Sequence, residues 1–336
     1  MELAFDIECK PRADWYLQTR IQQDKDKNIT LDQTRYAKSM VARFLPTMAG
    51  MEVTEADRKR YASPMKTGVK LDREMCSKDV DEVLELEREY SFRFIEAVGC
   101  FNWISYTCYE EIFAIRKLCK CTRLPGREHF KAALHLLHHF RCHPPKPLIF
   151  YHELHHSPVV RMMNEVAAYK EGGFDPSVMI FADSAHADND FARSTACDLL
   201  VFQGGIIDHT SWVPPVVALS TAESENNCYS AALARVQFPL RAWKMIVYNE
   251  PERPMTVPIM VDSQAAIAMN ESDNPTRRTR HIESRFWYGR EAALRGIAKF
   301  IKVDGKPQQP ADIGTKSQTH DETRYYRGLF EAPFYT

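Results

Sequence analysis

From about residue 177 onward, apolar runs typical of strands alternate with runs of helical periodicity, and this alternation most limits what the chain can fold into. The predicted order is strand, hairpin, helix, strand, helix, strand and helix. One mixed sheet covered by helices satisfies this order, because both faces of a buried sheet must pack against another layer. We therefore predict a mixed α/β architecture for this part of the chain.

The individual elements of this half follow from local signals. They are strands at Val178–Ala182, Val257–Val261 and Gly296–Val303, a hairpin around Gly204-Gly205, helices at Ser263–Met269 and His281–Leu294, and helices opening at Ser220 and Asp312. Pro239 is expected to interrupt and kink the helix that opens at Ser220, because proline removes a helical hydrogen bond.

Residues 1–168 differ in composition and periodicity: their pattern is mostly helical, and they are rich in charged residues, cysteine and histidine. The predicted elements are a hairpin of Trp15–Ile21 and Asn28–Leu31, a helix capped by Asp32, a helix over Val80–Phe113 broken near Gly99, and a helix opening at Gly126. Lys170–Pro176 has the glycine, proline and aspartate of a loop. We predict two domains, at 1–168 and 177–327, on either side of this loop.

The composition excludes several classes of protein. Lys and Arg total 44 and Asp and Glu total 45, so binding to nucleic acid would need a local basic patch rather than net charge. No apolar run is long enough to span a bilayer, and the first residues lack the pattern of a signal peptide. The nine scattered cysteines favour reduced thiols in an intracellular protein, in cytoplasm or nucleus.

Two aspartates follow predicted strands directly, Asp183 after Val178–Ala182 and Asp262 after Val257–Val261. On neighbouring strands they would lie close together, and a divalent cation would remove their mutual repulsion. Alternatively, each aspartate only starts a turn or caps a helix.

The helix that opens at Ser220 offers a third acid. Ser220-Thr-Ala-Glu223 has the form of a capping box, which gives Glu223 a structural task. Glu225 lies two residues on, points to another side of the helix and is available for chemistry. Asp312 stands at a predicted helix start, where a carboxylate is also a common cap.

Five motifs occur in order along this half of the chain. They are Phe181-Ala-Asp-Ser184, Leu219-Ser-Thr-Ala-Glu-Ser-Glu225, Val261-Asp-Ser-Gln-Ala-Ala-Ile267, Arg278-Thr-Arg-His-Ile-Glu-Ser-Arg285 and Ala311-Asp-Ile-Gly-Thr-Lys316. They closely resemble the ribonuclease H (RNase H) domain of copia-type retrotransposon polyproteins. The resemblance implies an RNase H-like mixed sheet flanked by helices. It also implies that Asp183, Glu225, Asp262 and Asp312 hold two Mg²⁺ or Mn²⁺ ions and cleave the RNA strand of an RNA–DNA hybrid.

The resemblance extends upstream. Trp15–Ile21, Ile29–Tyr36, Ala97–Trp103 and Glu128–Ala133 resemble the end of the palm, the thumb and the connection of reverse transcriptase in the same polyproteins. The paired aspartates of the polymerase signature are absent from the sequence. The resemblance therefore implies a chain without polymerase activity, for which an upstream palm is a possible partner.

Two positions depart from the family's pattern. His186 stands where an aromatic residue is usual, and Asn226 stands where the tyrosine after the catalytic glutamate is usual. The alternative hypothesis is a catalytically inactive, truncated retroelement remnant that at most binds nucleic acid.

The densest basic stretch is Arg277–His281, with Arg285 beyond it. Arginine suits phosphate because its planar donor fork can bind two oxygens. A solvated helix face is the alternative for several of these residues, but the resemblance favours contact with nucleic acid. The candidates for that contact are Arg278, Arg280, His281 and Arg285.

Seven histidines lie between residues 135 and 156, and His135 and His139 share one helix face at a spacing used by metal ligands. No paired-cysteine motif with the spacing of a zinc finger accompanies them. The resemblance places a histidine-bearing helix here without a metal, and we favour that structural interpretation.

Overall fold

The computed structural model describes residues 14–48, 50–69, 71–189, 192–271 and 287–332. The described strands form two sheets, one of four strands in the order β1-β2-β3-β4 and one of five in the order β7-β6-β5-β8-β9. The strands are β1 Trp15–Tyr16, β2 Thr19–Gln23, β3 Ile29–Asp32, β4 Leu148–Phe150, β5 Val178–Ala185, β6 Thr195–Phe202, β7 Gly205–Trp212, β8 Val257–Val261 and β9 Ala298–Lys302.

The helices fall into two groups along the chain. Those before the five-stranded sheet are α1 Thr34–Phe44, α2 Glu55–Arg60, α3 Val80–Tyr90, α4 Phe94–Ile104, α5 Ile112–Cys119, α6 Arg127–Cys142, α7 Pro158–Asn164 and α8 Ala167–Glu171. Those among and after its strands are α9 Thr221–Tyr248, α10 Gln264–Glu271, α11 Tyr288–Leu294, α12 Gly305–Gln308 and α13 His320–Phe330. No described helix is both long and apolar enough to cross a membrane.

The five-stranded sheet is mixed. Strands β5, β6 and β7 pair antiparallel, whereas β8 runs parallel to both β5 and β9. Every residue of β6, and every residue of β5 except Ala185, is buried, because both faces of the sheet are covered. The predicted mixed sheet flanked by helices, preceded by a mainly helical region, is confirmed.

Alternation along β5 divides the core into two layers. Val178, Ile180 and Ala182 pack with α9 on one face of the sheet. Met179 and Phe181 face the other way and pack with residues such as Leu148, Val160 and Phe330. Because side chains alternate at every residue of a strand, one short apolar run serves both layers.

The helical region has its own core, built mainly from α1, α4, α5 and α6. Fully buried aromatic residues at its centre include Phe94, Phe101 and Phe130. A small antiparallel sheet borders this region. Its fourth strand, β4, consists of residues 148–150 and pairs with β3, which lies more than 100 residues earlier in the chain. The sequence did not indicate β4, because three residues carry no periodicity.

Several local predictions in the helical region are wrong. The predicted strand Trp15–Ile21 is two strands, because Leu17 and Gln18 form a tight turn with φ of 46° and 68°. The predicted long helix breaks at Ser91, which has φ of 61°, and again after Ile104, while Gly99 lies inside α4. A serine in a left-handed conformation leaves no signal in the sequence comparable to a glycine.

Two predictions in the second half are also wrong. Asp312 does not open the last helix; it lies in a 3₁₀ turn over Pro310–Gly314, and α13 begins after the cap Thr319. Helix α9 continues through Pro239 instead of being interrupted there. Val236 and Leu240, on either side, are buried, and this packing holds the helix together despite one lost hydrogen bond.

A buried cation ties α13 to the helical region. The Arg327 guanidinium lies 2.9 Å from a carboxylate oxygen of Glu110 and 2.8 Å from one of Glu331. Burial, followed by the neighbouring charge of Glu111, raises the pKa of Glu110, and Arg327 opposes this rise. Burial also raises the pKa of Glu111 to about 8. Arg327 is therefore the main positive charge that balances the buried acids at this junction, and Lys146 lies 3.8 Å from Glu331.

We predict that Arg327→Met lowers the free energy of unfolding by about 3–5 kcal/mol, because it leaves Glu110 buried without its cation, while Glu331 keeps only Lys146 at 3.8 Å. Urea denaturation of the full chain measures the change. Arg324→Met, on the exposed side of the same helix, is the matched control and should shift stability by less than about 0.5 kcal/mol. Equal effects of the two substitutions would contradict a stabilising role for the buried cation.

Candidate metal centre

The parallel pairing of β5 and β8 brings two aspartates side by side. Ile180 pairs with Ile259 and Phe181 with Met260, so Asp183 and Asp262 occupy corresponding positions two residues further on. The structure corrects one detail of the sequence analysis. Asp183 does not follow its strand but lies within β5, where it pairs with Cys197 of β6.

Helix α9 supplies the third carboxylate, Glu225, which is 3% exposed. One carboxylate oxygen from each of Asp183, Glu225 and Asp262 forms a group whose members all lie within 4.8 Å of one another. The structure thus brings together three of the four carboxylates that the sequence singled out.

The start of α9 fixes where Glu225 points. The Ser220 hydroxyl accepts a hydrogen bond from the Glu223 amide at 3.2 Å, as the capping pattern predicts. The Glu223 carboxylate reaches back and accepts from the Leu219 amide at 2.8 Å. Since Glu223 is used in this cap, the helix presents Glu225, and not Glu223, to the two aspartates.

Asp312 lies beside this group but is not one of the three. It is buried, and its Oδ1 accepts a hydrogen bond from the Lys316 ammonium at 2.9 Å. Its segment is tied to the sheet by Gln309, whose amide nitrogen donates to the carbonyls of Ala182 and Met260 at 3.0 and 3.2 Å. The charge of Asp312 is close enough to raise the pKa of both Asp183 and Asp262.

Burial and mutual repulsion raise the pKa values of the carboxylates in this group. Burial, then Asp312, raises the pKa of Asp183 to about 7, although a 2.6 Å hydrogen bond from the Thr315 hydroxyl opposes the rise. Burial raises the pKa of Glu225 well above its usual range, and the charges of Asp183 and Asp262 add to that effect. Each ionised carboxylate therefore makes the next one harder to ionise.

The residues fit a divalent cation. The Oε2 atom of Glu225 is buried and has no hydrogen-bond partner among the described residues. Carboxylate oxygens are the ligands that Mg²⁺ and Mn²⁺ prefer, and a cation here would offset the repulsion among the three acids. The arrangement can therefore bind metal through oxygens supplied by two strands and a helix.

Sequence reasoning missed the residues that support these carboxylates. Thr315 and Lys316 lie in the last of the five motifs, and the spacing of Lys316 four residues after Asp312 is the signal that could have identified the pair. Gln309 carried no comparable signal, because its two carbonyl partners belong to distant strands.

The predicted nucleic-acid contacts lie outside the described residues. Arg278, Arg280, His281 and Arg285 all belong to residues 272–286, so their role remains a prediction. The same holds for the first half of the helix predicted over His281–Leu294, of which the structure describes α11.

Comparisons with solved structures find two ribonucleases. One is RNase H1 from the halophilic archaeon Halobacterium salinarum NRC-1, with 14% identity, a TM-score of 0.29, and coverage of 42% of this chain and 93% of that protein. The other is LC11-RNase H1 from a compost metagenome, with 12% identity, a TM-score of 0.29, and coverage of 41% and 91%.

Comparisons of sequence are more extensive. No protein-family model matches the chain. A retrovirus-related Pol polyprotein from transposon TNT 1-94 of Nicotiana tabacum is 24% identical over 316 residues. The match covers 93% of this chain but only 21% of that polyprotein, so the chain spans about a fifth of its relative. The predicted resemblance to a retrotransposon polyprotein is confirmed in that the chain is a homologue of one segment of such a polyprotein.

Proposed function

We propose that residues 177–327 are an RNase H-type endonuclease that cleaves the RNA strand of RNA–DNA hybrids during copia-type retrotransposon reverse transcription. The observation that carries this proposal is the grouping of Asp183, Glu225 and Asp262 within 4.8 Å at the edge where β5 and β8 run parallel. Similarity to a Pol polyprotein along most of the chain supports it.

The four carboxylates would hold two Mg²⁺ or Mn²⁺ ions. Asp183 would be shared between the ions, with help from Glu225 and Asp262, and Asp312 would complete the second position. When bound, such ions lower the pKa of an attacking water and stabilise the charge that develops on the leaving oxygen. The chain's own contribution is to fix these oxygens in advance, since Gln309 ties the turn at Pro310–Gly314 to β5 and β8, and the Cys228 thiol of α9 donates to the Asp183 carbonyl of β5.

The substrate would be held by its backbones rather than by its base sequence. We propose Arg278, Arg280, His281 and Arg285 as contacts to phosphate and to ribose 2′-hydroxyls. Lys316, paired with Asp312 and half-exposed, would add positive charge beside the reacting phosphate.

An upstream reverse-transcriptase palm is a proposed partner, and an intracellular compartment is the proposed location. We propose no nucleotide addition by these residues, because they hold no counterpart of the palm's paired aspartates.

We predict that the purified full chain cuts RNA in a hybrid with Mg²⁺ or Mn²⁺ and is inactive with chelator. Asp262→Asn should reduce the rate at least roughly 100-fold, because it removes a group that fixes charge in the transition state. The same substitution should raise the melting temperature in chelator, because one repelling carboxylate is lost. A gel assay with labelled RNA and thermal denaturation measure the two effects.

Asp321→Asn is the control for this experiment, because Asp321 is an exposed acid on α13. It should leave the rate unchanged and should not raise the melting temperature, because an acid in the first turn of a helix is mildly stabilising. Full activity in Asp262→Asn would rule out the assigned metal site. A wild-type chain that melts cooperatively, yet neither cuts hybrid nor is stabilised by Mg²⁺, would support the inactive remnant instead.

A second prediction separates the two glutamates at the start of α9. Glu223→Gln keeps an oxygen that can accept from the Leu219 amide, so it should cost at most about 1 kcal/mol of stability and leave cleavage nearly intact. Glu225→Gln should abolish cleavage, because it removes a charge from the metal group. Rates and urea denaturation of both variants provide the test, and the reverse pattern would show that the two roles are assigned to the wrong residues.

A further inference from the structure

Three other side chains with metal-binding chemistry meet in the helical region, outside the carboxylate group. They are Cys76, in the loop before α3, Cys121, just after α5, and His129, in the first turn of α6. The two sulfur atoms and one ring nitrogen all lie within 4.8 Å of one another. Sequence reasoning passed over this set, because its members are separated by up to 53 residues.

The segments that carry these residues are fixed against one another. The Ser77 amide donates to the Leu124 carbonyl at 3.0 Å, and the Ser77 hydroxyl donates to the Pro125 carbonyl at 2.9 Å. Gly126 allows the close approach, because a Cβ atom there would lie 1.9 Å from the Met75 carbonyl oxygen. The loop containing Cys76 is therefore held at the N-terminus of α6 by contacts that do not involve the three side chains themselves.

One of the two ring nitrogens of His129 lacks a hydrogen-bond partner among the described residues. Its Nδ1 accepts from the Gly126 amide at 3.1 Å. Its Nε2 is buried and has no hydrogen-bond partner among the described residues, and the whole residue is 0% exposed. A buried polar atom without a partner is unfavourable unless something binds it, and the two cysteine sulfurs grouped with one ring nitrogen of the same histidine form a donor set that zinc favours.

We propose that Cys76, Cys121 and His129 bind a zinc ion that joins the loop before α3 to α5 and α6. The fourth position of the tetrahedral site is left to a ligand from solvent, which the partly exposed Cys76 side of the group admits.

Zinc binding has a specific consequence at Gly126. The Gly126 amide loses its acceptor whichever ring nitrogen coordinates, because coordination through Nε2 leaves the ring proton on Nδ1 and coordination through Nδ1 uses that atom's lone pair. Two zinc–thiolate bonds outweigh the loss of one neutral hydrogen bond. The proposal therefore includes an observable change, faster hydrogen exchange of the Gly126 amide in the zinc-bound chain.

The test uses the full chain, reduced and kept in excess Mg²⁺ so that the carboxylate group does not compete. Wild type should retain about one zinc per chain after desalting, measured by mass spectrometry of the metal. Co²⁺ in place of zinc should give a thiolate-to-cobalt absorption band, which carboxylate-bound cobalt cannot produce. Cys76→Ser and Cys121→Ser should lose both signals.

Two further variants sharpen the result. His129→Gln keeps an acceptor for the Gly126 amide but removes the ring nitrogen, and it should lose most of the zinc. Cys100→Ser changes a partly buried cysteine of α4 outside the group and should retain zinc at the wild-type level.

A measurement on wild type covers the case in which the variants do not fold. A zinc-selective chelator should lower the melting temperature of the wild-type chain, and added zinc should restore it. Absence of zinc and of the cobalt band from folded wild type, or equal zinc in Cys121→Ser and wild type, would overturn the proposal. A Cys76–Cys121 disulfide found by mass spectrometry in the purified chain, with no zinc taken up after reduction, would also overturn it.

Discussion

Removal of carboxylates from water at one edge of the sheet is the constraint on which the second half of the structure depends. Burial alone is the largest cause of the raised pKa values of Asp183 and Glu225, before any charge is counted. A fold can hold such groups only where the surrounding packing is extensive, and here strands β5 and β6 are covered on both faces. The packing of the apolar layers therefore makes it possible for the fold to hold the acidic site.

Buried acids also occur at the junction between the two halves, but there the compensating positive charge belongs to the chain itself. There, Glu110 and Glu331 are buried as well, but an arginine from the chain itself neutralises them. At the sheet edge, Lys316 contacts Asp312, and among the described residues no ion pair reaches Asp183 or Glu225. Acids that are balanced internally serve structure, whereas acids left facing one another are suited to an exogenous cation.

Much of the second half could be predicted from the sequence, because its signals are local. The apolar run before Asp183, the cap at Ser220 and the apolar run before Asp262 each lie within a few residues, and their structures agree with the predictions. The features that were missed depend on distant partners: β4 pairs with a strand more than 100 residues earlier, and the 3₁₀ turn at Asp312 is held by Gln309 through two strands. Local periodicity carries no information on such pairings.

The buried ion pair between Arg327 and Glu110 has a consequence for how such sequences can diverge. It joins the end of one half to the middle of the other, 217 positions apart, through groups that cannot be left unmatched. Recombination that exchanged only the second half for a relative's copy would succeed only if the incoming helix brought a matching arginine. The two halves should therefore be inherited as one block, and crossovers between them should be rarer in surviving lineages than the loop at their boundary would suggest.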